Sequence, residues 1–324
     1  MKKLISLILA VCCMMAMASI GFAEAADTDS AFTMYYPAHL QEQFGETTQL
    51  DKVPERIVCL SNTALQVLAR LDIHPVAITS NATSGLPDWV YELPTISVGM
   101  KSLDVESIIS YEPDLVILGS YQKEAYGQNF EDAGINCFYT SEGPSISYSQ
   151  TKDETLCLAK SFGGDEFEAE LASEFEAVEQ RCADFTATHE TQTMMIFFYQ
   201  PGTYQQTSKG YLGSMLAMLP FENLTDSLVD GDSPTTTIDT EITLGLNPDI
   251  IFAISPSAPS AEVLQETFEA TFDENRTLWN QLDAVANNNI VYLGGEYVTS
   301  KGLQSVSSIN ALIDLLEERI PAAN

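Results

Sequence analysis

The sequence has few basic residues and few histidines. The first shortage argues against nucleic-acid binding, and the second argues against a histidine-based metal site. Its 324 residues contain 14 Lys and Arg against 46 Asp and Glu, which gives a formal net charge of −32. Because the acidic residues are spread along the whole chain, the surface repels nucleic acids and anionic lipid head groups. The three histidines have no partner at metal-ligand spacing; they are His39, His74 and His189. We therefore expect no nucleic-acid partner and no histidine-based metal site.

Cysteine is also scarce, and its spacing excludes a local zinc motif. Two of the six cysteines lie near the N-terminus, and the other four are Cys59, Cys137, Cys157 and Cys182. The first two of these four lie in apolar strand-like runs, and the last two lie on helical stripes. Buried free thiols are the expected state. A disulfide between two of them is the alternative in an oxidising compartment.

A long apolar run occurs only at the N-terminus. Residues 4–20 are apolar, they follow Lys2 and Lys3, and small residues come after them. This pattern predicts a secretory signal peptide over residues 1–25, cleaved after Ala23 or Ala25. Lipid attachment at Cys12 is the alternative. Since no other run approaches membrane-spanning length, we expect an exported, soluble protein that is located in the periplasm.

One segment of the chain occurs twice. Three pairs of residues are each 135 positions apart, namely Glu106 and Glu241, Pro113 and Pro248, and Asp114 and Asp249. A constant offset indicates one structural unit used in two similar lobes. In each copy Pro-Asp ends a helix and begins an apolar strand. The glutamate lies seven residues earlier, in the first turn of that helix. Two equivalent carboxylates on two lobes can be presented together to one partner.

Apolar strand-like runs alternate with helical ones, which predicts an α/β fold. We expect two Rossmann-like βαβ lobes with central parallel sheets, residues 26–150 and 190–324, joined by a helical linker over 151–189. Within the linker, Thr151 and Glu154 form a predicted capping box, and the helix it opens ends at Gly163–Gly164. A second, long helix follows. Its apolar face is predicted from the spacing of Phe167, Leu171, Phe175, Val178, Cys182 and Phe185.

A stiff helix between the lobes would hold them at nearly fixed separation and leave a cleft between them. Ligands of open α/β sheets bind outside the carboxyl ends of the strands, so the cleft is the expected ligand site. The chain has no GxGxxG, GxxxxGK[ST], GxSxG or HExxH motif. A cleft without a catalytic signature favours binding over catalysis, and we predict a protein that is not an enzyme.

With these motifs in place, the chain resembles the helical-backbone class (class III) of periplasmic substrate-binding proteins of ABC importers, which serve ferric siderophores, haem and cobalamin. The resemblance rests on the entry into the first strand at residues 45–58, on the paired segments, and on a late element with Trp279, Ala284-Val285 and Tyr292. It implies that Glu106 and Glu241 insert into arginine pockets on the permease dimer.

The resemblance also implies residues of the ligand cleft. In siderophore binders a basic residue stands two places after the glycine that precedes the docking helix, and Lys101 after Gly99 fits this pattern. Its charge would form hydrogen bonds with the oxygen donors of a ferric chelate. Haem binders often carry Tyr directly after that glycine, where this chain has Met100. Further expected cleft residues are Tyr121, Tyr204, Lys209, Tyr211 and Tyr297.

These expectations combine into one predicted function. The protein captures a ferric siderophore-type iron complex and delivers it to an ABC permease dimer with its ATPase. It acts as a monomer, has no cofactor of its own, and touches the membrane complex only peripherally. Cobalamin, haem or an oxyanion is the alternative ligand. A binding module that signals to a sensor, and an exported metal-cluster or chelatase-like enzyme, are alternatives of other classes.

Overall fold

The protein folds into two α/β lobes that are connected by one long helix. The computed structural model describes residues 31–99, 102–141, 146–200, 202–237, 240–258, 260–274, 276–299 and 301–322. The predicted signal peptide therefore lies outside the described residues. Within these ranges, no helix is both long enough and apolar enough to cross a membrane.

The N-terminal lobe contains nine strands and five helices among the described residues. The strands are β1 (Phe32–Tyr35), β2 (Thr47–Leu50), β3 (Ile57–Cys59), β4 (Ala77–Thr79), β5 (Thr95–Ile96), β6 (Val98–Gly99), β7 (Ser102–Leu103), β8 (Leu115–Gly119) and β9 (Asn136–Thr140). The helices are α1 (Ala38–Phe44), α2 (Asn62–Arg70), α3 (Asp88–Tyr91), α4 (Val105–Ser110) and α5 (Lys123–Asp132). A 3₁₀ turn covers Ser120–Gln122.

Five parallel strands form the main sheet of this lobe, in the order β5-β4-β3-β8-β9. Every residue of β3, β4 and β8 is buried, as expected of strands that are covered on both faces. The parallel sheet predicted for this lobe is confirmed. The antiparallel pair β1–β2 was not predicted, because its strands are short and partly exposed.

Helix α6 (Tyr148–Thr188) connects the lobes and belongs to the cores of both. Leu158 packs in the N-terminal core, whereas Phe175, Val178 and Phe185 pack in the C-terminal core. The predicted apolar face is therefore confirmed. The predicted break is confirmed as well, since Gly164 interrupts the helix with φ 76° and ψ −174°.

The predicted capping box at the start of this helix is wrong by one turn. Ser147 is the cap: its hydroxyl accepts a hydrogen bond from the backbone N–H of Gln150, whose side chain accepts one from the N–H of Ser147. Ser-x-x-Gln satisfies the same motif as Thr-x-x-Glu. Thr151 and Glu154 lie inside the helix and are buried, and Glu154 accepts a hydrogen bond from the N–H of Ser141 at 2.6 Å.

The C-terminal lobe contains six strands and seven helices among the described residues. The strands are β10 (Gln192–Gln200), β11 (Gly202–Gln206), β12 (Phe221–Asn223), β13 (Thr235–Thr237), β14 (Ile250–Ile254) and β15 (Ile290–Leu293). The helices are α7 (Tyr211–Leu216), α8 (Thr240–Leu246), α9 (Ala261–Glu274), α10 (Arg276–Trp279), α11 (Asp283–Ala286), α12 (Glu296–Thr299) and α13 (Gln304–Arg319).

The sheet of this lobe is mixed, in the order β13-β11-β10-β14-β15, with β12 beside the start of β10. β10, β14 and β15 are parallel as predicted. β12, which was not predicted, pairs in parallel with the start of β10. β11 and β13 are antiparallel additions that the sequence did not predict. Their residues are mostly polar, and the buried amides of Gln205 and Gln206 are bonded to Thr243 and to the N–H of Gly213. Strands β11 and β13 therefore lack the apolar run from which a buried strand is predicted.

Strand β10 shows how this sheet separates two cores. Met194, Ile196 and Phe198 face the core that includes α6, α7 and α13. Met195 and Phe197 face the core on the other side, which includes α9. The alternation follows from the period of two along a strand. Both faces of the sheet are thus covered by helices, which leaves the strand ends free to form a site.

Cys59, Cys137, Cys157 and Cys182 form no disulfide with one another. Burial raises the pKa of Cys137 to about 12 and that of Cys157 and Cys182 to about 11. These thiols therefore stay protonated at neutral pH and behave as small apolar side chains.

Candidate functional site

The duplicated segment builds the same structure in both lobes. After each short helix one residue takes a left-handed conformation, Glu112 with φ 48° and Asn247 with φ 45°. Asp114 then accepts two 2.9 Å hydrogen bonds from the backbone N–H groups that precede β3. Asp249 accepts bonds of 2.8 and 2.7 Å from the N–H and hydroxyl of Thr193. Each aspartate joins a strand to its neighbour, so this half of the segment is structural.

The two glutamates of the segment are exposed on short helices. Glu106 lies in the first turn of α4, where the side chain of Asp104 accepts a 2.9 Å bond from the N–H of Ser107. Glu241 lies in the first turn of α8. Among the described residues, neither carboxylate forms a hydrogen bond or an ion pair. Both are therefore available to a partner outside the chain.

A crevice lies between the lobes at the carboxyl ends of their strands. Two adjoining cavities, of about 380 and 260 Å³, are lined by residues that follow β4, β14 and β15 and by one face of α13. Ser84 and Glu296 line both cavities. This position is where ligands bind in open α/β sheets, and it agrees with the predicted cleft between the lobes.

The structure describes one of the three cleft residues predicted from the N-terminal lobe. Tyr121 follows β8 at the carboxyl end of the sheet, and 45% of it is exposed. Its ring folds back over Gly119, where an added Cβ would come within 2.4 Å of the ring. Lys101 and Met100 lie outside the described residues. Tyr121 is not among the residues that line the two crevice cavities, so its place in the cleft stays a prediction.

The four residues predicted from the C-terminal lobe do not come together at the crevice. Tyr297 lines the larger cavity, although only 9% of it is exposed and burial raises its pKa. Tyr211 is 1% exposed; burial raises its pKa, and a hydrogen bond with Ser305 opposes this shift. Tyr204 lies within β11, and the exposed Lys209 pairs with an aspartate at 3.4 Å. Of these four residues, Tyr297 is the one placed at the crevice.

Glu296 was not predicted as a site residue, and it is the only charged residue among the described ones that line the two crevice cavities. Its carboxylate folds back toward Gly294, where an added Cβ would lie 2.1 Å from Oε2. A Gly-Gly-Glu run directly after a buried strand is the signal that could have located it. The same rule, residues just beyond a strand end, would have found Thr83 and Ser84.

A second missed feature holds the lobes together behind the crevice. The backbone N–H of Gln304 donates to Oε1 of Gln66 at 3.0 Å, and its side-chain amide donates to the carbonyl of Ser84. Gly302 makes this approach possible: its φ is 67°, and an added Cβ would lie 2.8 Å from Gln66 Oε1 and 3.3 Å from Thr63 Cα. We refer to Gln66, Ser84, Gly302 and Gln304 as the interlobe latch.

The described residues contain no group of three or more His, Cys, Asp or Glu side chains placed so that it could hold a metal ion.

Comparison with known proteins agrees with this architecture. A family model described as periplasmic binding protein matches residues 57–297. The uncharacterized ABC transporter substrate-binding lipoprotein YvrC of Bacillus subtilis (strain 168) is 22% identical over 292 residues, which cover 87% of this chain and 86% of the relative.

Two solved structures have a similar fold. Staphylococcus aureus IsdE complexed with heme superposes with a TM-score of 0.65 at 22% identity, covering 80% of this chain and 98% of that one. Staphylococcus aureus SirA complexed with staphyloferrin B superposes with a TM-score of 0.63 at 20% identity, covering 86% and 97%. The chain therefore belongs to the periplasmic binding protein family, in the helical-backbone class whose members are the substrate-binding proteins of ABC importers.

Proposed function

We propose that the protein captures a ferric siderophore-type iron complex outside the cytoplasm and delivers it to the permease of an ABC importer. The observation that carries the delivery role is the pair of exposed glutamates, Glu106 and Glu241. They occupy equivalent positions on equivalent helices of the two lobes. A carboxylate in the first turn of a helix is favoured by the helix dipole, and both carboxylates are exposed where cationic side chains of the permease could reach them.

The crevice supports the capture role. Its cavities combine hydroxyl groups from Thr83, Ser84, Ser307 and Tyr297 with backbone groups at the strand ends. Such a surface suits a ligand that is rich in oxygen acceptors, since each hydroxyl can donate one hydrogen bond. The similar fold binds staphyloferrin B in SirA and heme in IsdE. Lys101, two residues after Gly99 in the sequence, would add a cation for a chelate with negative charge if it reaches the ligand.

A thermal-shift screen of the purified protein tests the capture role. The panel holds an anionic ferric siderophore, a cationic ferric hydroxamate, haem and cobalamin. A ligand that binds only the folded state adds about 2.7 kcal/mol to stability at about 100 times its Kd. We expect the ferric siderophores to raise the melting temperature. A shift with cobalamin or haem alone would contradict the siderophore assignment.

Paired substitutions test the delivery role. Glu106→Ala together with Glu241→Ala should reduce uptake in cells to that of a strain without the protein. The ligand Kd should stay within about twofold, because sites far apart act independently. Glu124→Ala with Glu262→Ala is the matched control, since both are exposed glutamates in the first turn of a helix. The docking assignment would be refuted if uptake persisted in the Glu106→Ala, Glu241→Ala variant, or if the control variant lost uptake to the same extent.

We also propose export by the signal peptide over residues 1–25, with cleavage near Ala23 or Ala25 and location in the periplasm. Lipid attachment at Cys12 is the alternative, and the relative YvrC is named a lipoprotein. The intact mass of the exported protein separates the two, because lipidation leaves Cys12 as the first residue and adds acyl chains.

A further inference from the structure

The duplicated segment allows the two docking helices to be compared position by position. Their backbones are equivalent, since Glu112 and Asn247 end them in the same left-handed conformation. The offset of 135 residues pairs Ser107 with Ile242 and Ser110 with Gly245. Differences at these positions are therefore differences between the surfaces that the two lobes present.

On α4 the positions equivalent to Ile242 and Gly245 are both serines, Ser107 and Ser110. The Ser110 hydroxyl donates a 2.7 Å hydrogen bond to the carbonyl of Ser107. On α8 the residue next to Glu241 is Ile242, and 47% of it is exposed. A single exposed apolar residue is ordinary on a protein surface. What distinguishes Ile242 is that it directly adjoins a carboxylate expected to dock.

Gly245 is a second feature of α8 that the fold itself does not explain. It lies within the helix, where glycine is less stable than alanine. The left-handed position that favours glycine at a helix end is occupied by Asn247 instead. An added Cβ at Gly245 would meet no atom within 4 Å among those described. The residue therefore leaves bare backbone on an exposed turn.

Glu241, Ile242 and Gly245 lie on one face, because positions three and four apart on a helix are neighbours. That face combines a carboxylate, an apolar side chain and uncovered backbone. We propose that the two docking contacts are unequal. The permease half that receives the C-terminal lobe packs an apolar side chain against Ile242 and approaches Gly245 closely, beside its cationic group. The half that receives the N-terminal lobe makes a polar contact. This proposal rests on the docking role of the two glutamates.

The test measures docking of the full-length exported protein to its permease–ATPase complex in nanodiscs by biolayer interferometry. Ile242→Ser should weaken docking about tenfold, because burial of an isoleucine side chain is lost. Gly245→Ala should weaken docking by about the same factor through a clash with the permease, yet raise the melting temperature by roughly 2 °C by improving the helix. A purely structural role would raise stability without any loss of docking.

Two controls separate docking from general effects. Val263→Ser replaces an apolar residue on α9 that is 44% exposed, and docking should be unchanged. Ser173→Ala improves an exposed site of α6 for helix formation, so the melting temperature should rise with docking unchanged. Wild-type docking by either Ile242→Ser or Gly245→Ala would overturn the proposal. Undiminished docking after Glu106→Ala with Glu241→Ala would overturn the proposed function itself.

Discussion

Under the proposed function, the charged residues at the crevice would determine which ferric chelates bind. The exposed Glu296 lines both cavities, and it repels an anionic chelate. Lys101 would attract the same ligand, since an opposite charge forms a strong hydrogen bond with a chelate oxygen. We therefore propose that the balance between the two residues sets the preference of the site for ligand charge.

Two substitutions measure this balance. Lys101→Ala should weaken an anionic ferric siderophore about tenfold, through loss of one charge-assisted hydrogen bond. Glu296→Gln should strengthen the same ligand and weaken a cationic ferric hydroxamate. Both effects should shrink as salt is raised from 20 to roughly 500 mM, because salt screens exposed charges. Calorimetric titration gives the Kd values. If both substitutions changed the Kd of the anionic siderophore in the same direction, one of the two residues would not belong to the site.

Some residues of the candidate site could be predicted from the sequence and others could not. The constant offset indicated Glu106 and Glu241, because their helices are built alike in both lobes. Glu296 could not be located this way, since only the packing of the lobes places the end of β15 opposite Ser84. Tyr211 was predicted as a cleft residue because it lies near a strand end in the sequence. It is buried instead, because α13 packs over it and Ser305 of that helix forms a hydrogen bond with it.

At the scale of elements, prediction succeeded where residues are apolar and periodic. Strand β14 (Ile250–Ile254) is an example: every residue in it is apolar and buried, which is the pattern that predicts a strand of a covered parallel sheet. Strands β11 and β13 were missed because their side chains are polar and their burial depends on partners far away in the chain. The start of α6 was misplaced because two capping patterns follow one another, and sequence alone does not rank them.

The break in α6 depends on Gly164. Its φ of 76° with ψ of −174° is a combination that only glycine adopts readily. Gly164→Ala should therefore cost about 1–3 kcal/mol and lower the melting temperature by roughly 2–6 °C. Scanning calorimetry measures it. The contrast with Gly245→Ala, which should stabilise the protein, serves as the control. An equal rise for both variants would show that the break is not required.

At the scale of the whole molecule, helix α6 and the interlobe latch restrain the lobes from two sides. The helix packs into both cores. Arg70 joins it to α2 through Glu170 and Glu174, while Arg181 joins it to α13 through Asn310. The latch adds Gln304 against Gln66 and Ser84. Lobe closure around a ligand, common in hinged binding proteins, is therefore expected to be small here.

Small-angle scattering tests this rigidity. The radius of gyration of the wild type should change by less than about 1 Å on ligand saturation, in contrast to hinge closure. Gln66→Leu removes the acceptor for Gln304 and should increase the radius of gyration of the ligand-free protein, with the melting temperature nearly unchanged. A large decrease on ligand binding to the wild type would show that the lobes close.

The central claim is that Glu106 and Glu241 together allow this protein to engage an importer after it has bound a ligand. The most direct measurement is ATP hydrolysis by the permease–ATPase complex in nanodiscs, with the ligand-loaded protein added. We predict that the wild type stimulates hydrolysis, whereas Glu106→Ala with Glu241→Ala binds the same ligand and leaves hydrolysis at its basal rate. Equal stimulation by the wild type and the double variant would contradict the account.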